Sequence, residues 1–340
     1  MQKQYDYAVF IGRFQPFHIG HKQVFETALS IATKLIVIIG SANSSRTPKN
    51  PWTASERAAM IISQDFGGNL DRIKITKVND QPSDQKWTTA VQEAVSEAML
   101  GEFWLDRPKI AIIGYDKDES SYYLKMFPQW SPVEHELNED VNATDLRELY
   151  FEGKNLKFLQ ALVPEPVYAK LELFKSTPEF TILSEDYEYI KKYHKAWLPA
   201  PYPPTFVTTD AVVVQSGHVL LIKRRSSPGK GLLALPGGFI NQNERLEDAM
   251  LRELREETKI KVPIPVLRGN IKGMKVFDDP NRSLRGRTIS HAFFIELPPG
   301  PLPKVKGDDD AEKAMWVPLG ALQGENMFED HWFIVEHFVG

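Results

Sequence analysis

The segment Gly12-Arg13-Phe14-Gln15-Pro16-Phe17-His18-Ile19-Gly20-His21 constrains the fold of this chain more than any other. It stands where an apolar strand, Tyr7 to Ile11, hands over to a helix. A helix start presents unpaired backbone N–H groups and the positive end of the helix dipole, so it is a ready site for an anion. Histidines at i and i+3 project from one side of that first turn, and glycines at 12 and 20 let a ligand approach the backbone closely. A nucleoside triphosphate is the natural ligand for such a constellation. Taken alone, His-x-Gly-His also fits two histidines that merely flank a helix start. The strand before it and the Gly-Arg-Phe-x-Pro-Phe lead-in favour the phosphate site.

The rest of the first half alternates strand and helix. Residues 7–12 and 34–40 are short apolar or β-branched runs, and between them Val24, Phe25, Ala28, Leu29 and Ala32 recur at helical intervals. Thr53-Ala-Ser-Glu56 is a capping box that opens a helix through about Gln64. Lys109 to Ile113 is a further buried strand, closed by Gly114. This alternation predicts an α/β fold, a parallel sheet with helices on both faces and ligands at the carboxyl ends of the strands. Gly12, Gly40 and Gly114 all fall at such ends. Prolines at 199, 201, 203 and 204 follow a charged, tyrosine-rich segment, Glu185 to Lys195, and precede a new strand, Asp210 to Val214. The expected organisation is a first domain over 1–175, a linker over 176–204 and a second domain over 205–340.

At 340 residues the chain has room for two domains. A net charge of −4 argues against a general affinity for nucleic acid. The absence of cysteine excludes disulfides, thiolate metal sites and a cysteine nucleophile, and fits a reducing compartment. No apolar run approaches the roughly 18 residues of a membrane span, and the first residues enter a strand with no room for a secretory signal. The expectation is a cytoplasmic protein without a membrane partner; homo-oligomer formation stays open.

A second constellation lies at residues 237–260, GGFINQNERLEDAMLRELREETKI. On a helix, Glu253, Glu256 and Glu257 share one arc, while Leu246, Met250 and Leu254 form the adjoining apolar arc. Arg252 sits four before Glu256 and can orient it. Clustered carboxylates with no cysteine or histidine nearby suit Mg²⁺ or Mn²⁺. A merely solvated acidic face is the plain alternative.

The first segment resembles the nucleotidyltransferase superfamily, and within it the archaeal-type nicotinamide mononucleotide (NMN) adenylyltransferases, whose Gly-Arg-Phe-x-Pro-x-His-x-Gly-His signature it matches. The resemblance implies a Rossmann-like domain that joins the adenylyl group of ATP to NMN, giving NAD and pyrophosphate. It implies that His18 and His21 contact the ATP phosphates, that Arg13 adds positive charge, and that Gly12 and Phe14 belong to the ATP site. A second phosphate motif of the family, Ser-x-Thr-x-x-Arg, is similar to Asn142-Ala143-Thr144-Asp145-Leu146-Arg147, with Asn142 in place of Ser. That assigns Thr144 and Arg147 to ATP, and Asn142 can still cap the helix. Trp87, following Asp80 and Asp84, resembles the aromatic element placed against the pyridinium ring. Asp80 and Trp87 are then the expected NMN contacts, with a half-buried core tryptophan as the alternative. Gly114 and Asp116 are expected to border the adenosine.

Residues 237–260 resemble the Nudix box through Gly238, Glu244, Arg252, Glu253, Leu254, Glu256, Glu257 and Ile260. This implies an α/β/α sandwich in which Gly238, Glu253, Glu256 and Glu257 hold the metal, and Arg252 and Glu256 serve catalysis. Lys259 stands where the box has Gly, a left-handed position that costs a lysine roughly 1 kcal/mol. Arg285 to His291 and Lys306 to Glu312 resemble the Nudix branch that splits ADP-ribose into AMP and ribose 5-phosphate, with Glu312 or one of Asp308 to Asp310 as a base or further metal contact. Together the two halves resemble the family that fuses NMN adenylyltransferase to a Nudix hydrolase. NADH or a dinucleoside polyphosphate as the Nudix substrate, and a non-catalytic metabolite sensor, remain the alternatives.

Overall fold

A computed structural model describes residues 3–101, 107–114, 124–134, 141–154, 156–307 and 311–340. The chain divides into two compact units, residues 1–181 and 182–340.

The first unit runs β1 (Tyr5–Gly12), α1 (Ile19–Ile31), β2 (Ala32–Ile39), α2 (Ala54–Ile62), β3 (Ile73–Lys77), α3 (Asp84–Ala98), β4 (Ile110–Gly114) and β5 (Ser131–Glu134). The strands form a parallel sheet in the order β3-β2-β1-β4-β5. Helices cover both faces, which is why Tyr7 to Ile11 reads as an unbroken apolar run and not as an alternation. Val9 and Ile11 pack with Val91 and Val95 of α3, while the Phe10 ring meets Phe25 of α1 at 5.8 Å. The strand order reverses between β1 and β4, and the Gly12 segment leaves the carboxyl end of β1 at that switch point. The capping box of α2 forms as expected: the Glu56 carboxylate accepts the Thr53 N–H at 2.8 Å, and the Thr53 hydroxyl accepts the Glu56 N–H at 3.3 Å.

Four helices follow, α4 (Ala143–Glu152), α5 (Leu156–Leu162), α6 (Glu165–Phe174) and α7 (Pro178–Trp197). The stretch read from sequence as a linker therefore contains a 20-residue helix, and the proline-rich residues 198–205 after it carry no helix or strand. The boundary between the units falls inside α7.

The second unit contains β6 (Phe206–Gln215), β7 (His218–Arg224), β8 (Leu233–Ala234), β9 (Gly237–Phe239), α8 (Leu246–Thr258), α9 (Ile264–Gly269), β10 (Ile271–Phe277), β11 (Thr288–Glu296), β12 (Ala311–Pro318) and α10 (His331–Val339). Its mixed seven-stranded sheet has the path β10-β11-β6-β7-β12, with β8 on β7 and β9 on β6. Alternate residues of β6 serve opposite faces. Ala211 and Val213 pack with Met250, Leu251 and Leu254 of α8, whereas Val212 and Val214 pack with Ile334 and Val335 of α10. This is the expected α/β/α sandwich. α8 ends at Lys259, which takes the left-handed conformation (φ 45°, ψ 31°) that its position requires, so the helix stops where a glycine would stop it. Among the described residues no helix is long and apolar enough to cross a membrane.

Candidate functional sites

In the first unit the segment after β1 wraps the start of α1. His18 is the N-cap residue, and its N–H donates to Nδ1 of His21 at 3.2 Å. The two rings stack at 3.6 Å. Burial, followed by the neighbouring His18, holds His21 well below its usual range and favours its neutral form. A neutral ring that accepts at Nδ1 carries its proton on Nε2, so His21 keeps one N–H donor beyond the helix start.

Phe14 takes a left-handed conformation (φ 52°), and its ring is buried against Phe10 and His21. The ring explains Gly12, because a Cβ there would lie 2.9 Å from the Phe14 ring. Phe14, expected at the ATP site, thus offers main chain and not its ring. Two arginines hold the turn it shapes. Arg57 donates to the carbonyls of Arg13 (2.7 Å), Gly40 (2.7 Å) and Ser41 (3.0 Å), and Arg147 donates to Gln15 O at 2.8 Å and to the Thr144 hydroxyl at 3.0 Å. Burial lowers both guanidinium groups to about 10, and the exposed Arg13 adds like-charge repulsion to each. Arg57 and Arg147 thus lock the turn from which Arg13 projects, and keep positive charge around it. Asn142 caps α4 by accepting the Thr144 N–H at 2.9 Å, so its replacement of serine leaves the cap intact.

The structure thus brings Gly12, Arg13, His18, His21, Thr144 and Arg147 to one turn. Asp80 and Trp87 are engaged separately. The Asp80 carboxylate accepts the hydroxyls of Ser41 and Ser44, each at 2.9 Å, and pins the loop after β2. Trp87, in the first turn of α3, is partly buried against Phe127, ring centroids 5.9 Å apart. Gly114 is buried, and a Cβ there would lie 2.9 Å from Leu124. Asp116 lies outside the described residues.

Sequence reasoning missed Arg57, which is 1% exposed. Its signal was its place on the apolar face of α2, with Ala54, Met60 and Ile61. Arg57→Met keeps the bulk and strands the carbonyls of Arg13, Gly40 and Ser41. We expect a loss of about 2–4 kcal/mol, read as a lower melting transition of the first unit. An unchanged melt would leave Arg57 without its anchoring role.

In the second unit β9 and α8 bring the carboxylates together. Arg252 donates to Glu244 (2.6 Å), Glu253 (2.6 Å), Glu256 (3.0 Å) and the Phe239 carbonyl (3.2 Å). Its hydrogen bonds are the main reason that Glu244 is pushed down to about 2. A Cβ on Gly238 would lie 2.7 Å from the Glu253 carboxyl, so glycine lets that carboxylate reach the backbone. Glu257 accepts the Gly237 N–H at 2.9 Å, and burial, with Glu253 and Asp210 nearby, pushes it up to about 8. Among the described residues no three histidine or acidic side chains converge as a ready-made metal cage. Arg252 engages Glu253 and Glu256. Even so, an all-oxygen donor set with a buried, charge-strained Glu257 fits a hard divalent cation. Glu312, on β12, is exposed and paired with Lys223 at 3.1 Å, not with the carboxylates of α8. Asp308 to Asp310 lie outside the described residues.

Beside Glu257 and Gly238 opens a cavity of about 290 Å³, which the sequence reading did not anticipate. Arg224, Arg282 and Arg285 line it together with Asp210 and Phe328. Arg285 lies over the Phe239 ring at 5.3 Å. The cavity thus gathers carboxylates, arginines and aromatic rings, a set suited to a nucleotide's diphosphate and base.

Comparison with known proteins matches residues 204–338 to the NUDIX domain family and residues 9–88 to the cytidylyltransferase-like family. A nicotinamide/nicotinic acid mononucleotide adenylyltransferase of Acinetobacter baylyi is 39% identical over 185 residues, 54% of this chain and 94% of that protein. An ADP-ribose pyrophosphatase of Methanocaldococcus jannaschii is 34% identical over 150 residues, 44% of this chain and 79% of that protein. A crystal structure of a bifunctional NMN adenylyltransferase/ADP ribose pyrophosphatase from Francisella tularensis is 36% identical, covers 98% of each chain and superposes with a TM-score of 0.90. A structure so named from the same organism, complexed with AMP and a Mn ion, superposes with a TM-score of 0.89 at 35% identity.

Proposed function

The chain belongs to the family of NMN adenylyltransferase/ADP-ribose pyrophosphatase fusions, and from that premise we propose that its two units catalyse two reactions of NAD metabolism at separate sites. The first joins ATP and NMN into NAD and pyrophosphate. The second hydrolyses ADP-ribose to AMP and ribose 5-phosphate. The observation that carries this reading is the presence in one chain of a turn of histidines and arginines at the switch point of one sheet and a carboxylate helix against the other. We assign the transferase to residues 1–175, the hydrolase to 205–340 and the cytoplasm as its compartment.

In the transferase, a phosphate oxygen of NMN forms a bond to the α-phosphorus of ATP, and the bond from that phosphorus to the bridging oxygen breaks. Pyrophosphate leaves with the electron pair. The acceptor is already a competent nucleophile, so the protein's task is alignment and charge dispersal. The Nε2–H of His21, the guanidinium groups of Arg13 and Arg147, and His18 at the start of α1 are placed to bind the triphosphate. Gly12, Thr144 and the main chain of Phe14 complete that contact. In the hydrolase, a water oxygen bonds to one phosphorus of the diphosphate as its bridging P–O bond breaks. Glu253, Glu256, Glu257 and the Gly238 carbonyl would hold Mg²⁺ or Mn²⁺, which when bound neutralises the diphosphate and makes water more acidic. Arg252 orients Glu253 and Glu256, and the water's proton passes to a carboxylate of this group; Glu312, exposed and paired with Lys223, stands apart from them.

Trp87 tests the identity of the acceptor. We expect Trp87→Ala to raise KM for NMN far more than KM for ATP, with about 1–2 kcal/mol lost on the one substrate. Unchanged KM values in a folded variant would make Trp87 a core residue and remove its support for NMN.

A further inference from the structure

The helix α7 precedes the NUDIX-matched region, 204–338, yet its second half builds part of the cavity beside Glu257. Asp186 is 3% exposed and accepts the Gly229 N–H at 2.9 Å. That bond fastens the loop of Ser226, Ser227 and Pro228, which lines the same cavity. Glycine is required at 229, where φ is +78° and a Cβ would run into the Phe328 ring. One turn beyond Asp186, Tyr189 lines the cavity, 40% exposed and backed by Tyr193, ring centroids 6.1 Å apart. Tyr193 and Trp197 in turn meet Phe206 at 5.6 and 5.2 Å, and Phe206 meets Phe239 at 5.9 Å. These contacts explain the spacing of Asp186, Tyr189, Tyr193 and Trp197, which follows one side of a helix.

We propose that Tyr189 is a substrate-contacting residue of the hydrolase, stacking on the base of the bound nucleoside diphosphate, so that α7 determines specificity at that site. The proposal rests on the reading of the second unit as a nucleoside diphosphate hydrolase. The chemistry follows from the groups that line the cavity. Gly238 and Glu257 join it to the carboxylates proposed to hold the metal, and Arg224, Arg282 and Arg285 supply positive charge for phosphates. The half-exposed aromatic ring of Tyr189 is the natural partner of a planar base. A rigid, backed ring also loses little entropy on binding.

The test uses the full chain and two readouts, KM for ADP-ribose and the affinity for AMP measured by calorimetry. Tyr189→Ala should weaken both about tenfold, as loss of one stacking contact predicts, and Tyr189→Phe should restore both. A thermal melt of the same preparations reports that the second unit of each variant is folded. Equal AMP affinity in wild type and Tyr189→Ala would overturn the proposal, as would a Phe variant as weak as the Ala variant. Wild-type protein that binds AMP without cleaving ADP-ribose would end the hydrolase reading alone, and the AMP comparison would still decide the role of Tyr189. Wild-type protein that binds no AMP would overturn both.

Discussion

His21→Ala is expected to lower the kcat of adenylyl transfer at least about a hundredfold while ADP-ribose hydrolysis stays near the wild-type rate. A hydrogen bond from His18 fixes the His21 ring. Because His18 N–H occupies Nδ1 of His21, the Nε2 proton has one direction to serve, and burial keeps the ring neutral and oriented. A preorganised donor of this kind stabilises charge that develops as pyrophosphate leaves, so its loss appears in kcat more than in substrate affinity. His21 also packs against Phe14 at 4.9 Å and Phe17 at 5.6 Å. Alanine therefore leaves a small cavity in the first unit, and a melt must accompany the assay. A folded variant that keeps more than about half the wild-type kcat would remove His21 from the transfer step.

Changing Glu256 or Glu257 to Gln should abolish hydrolysis to a comparable degree, at least about a hundredfold, and leave transfer intact. Glutamine preserves size and helix propensity but supplies a neutral amide where a hard cation requires a carboxylate. The two positions differ in their surroundings. Glu256 is partly exposed and tied to Arg252, so its amide loses an ion pair as well as a ligand. Glu257 is buried, and a glutamine in its place could still accept the Gly237 N–H, so the fold should hold while the ionisable ligand is lost. Undiminished hydrolysis in both variants would exclude the α8 carboxylates from the chemistry.

The parts of this arrangement that were legible in the sequence are local ones. The start of α1, the Thr53–Glu56 box and the carboxylate arc of α8 each depend on residues a few positions apart, where helical geometry alone sets the neighbours. The left-handed Lys259 was legible for the same reason, since the requirement comes from the end of its own helix. Partners across long separations were not. Nothing near Arg57 announces the carbonyls of residues 13, 40 and 41, and nothing near Asp80 announces Ser41 and Ser44. The Phe14 ring turns into the core because of a backbone conformation that no spacing rule describes. The contribution of α7 to the second unit was hidden behind the prolines that follow it. Its polar, tyrosine-rich sequence reads as solvated until Asp186 is seen to meet the N–H of Gly229.

The central claim is that one chain carries two chemically independent active sites. Its most direct test is to measure both reactions on single preparations of the wild type, His21→Ala and Glu257→Gln, each incubated with ATP plus NMN and separately with ADP-ribose. The wild type should form NAD with pyrophosphate and should also release AMP with ribose 5-phosphate. His21→Ala should lose only the first reaction and Glu257→Gln only the second. Loss of both activities in either folded variant, or a wild type that lacks one of them, would contradict the claim.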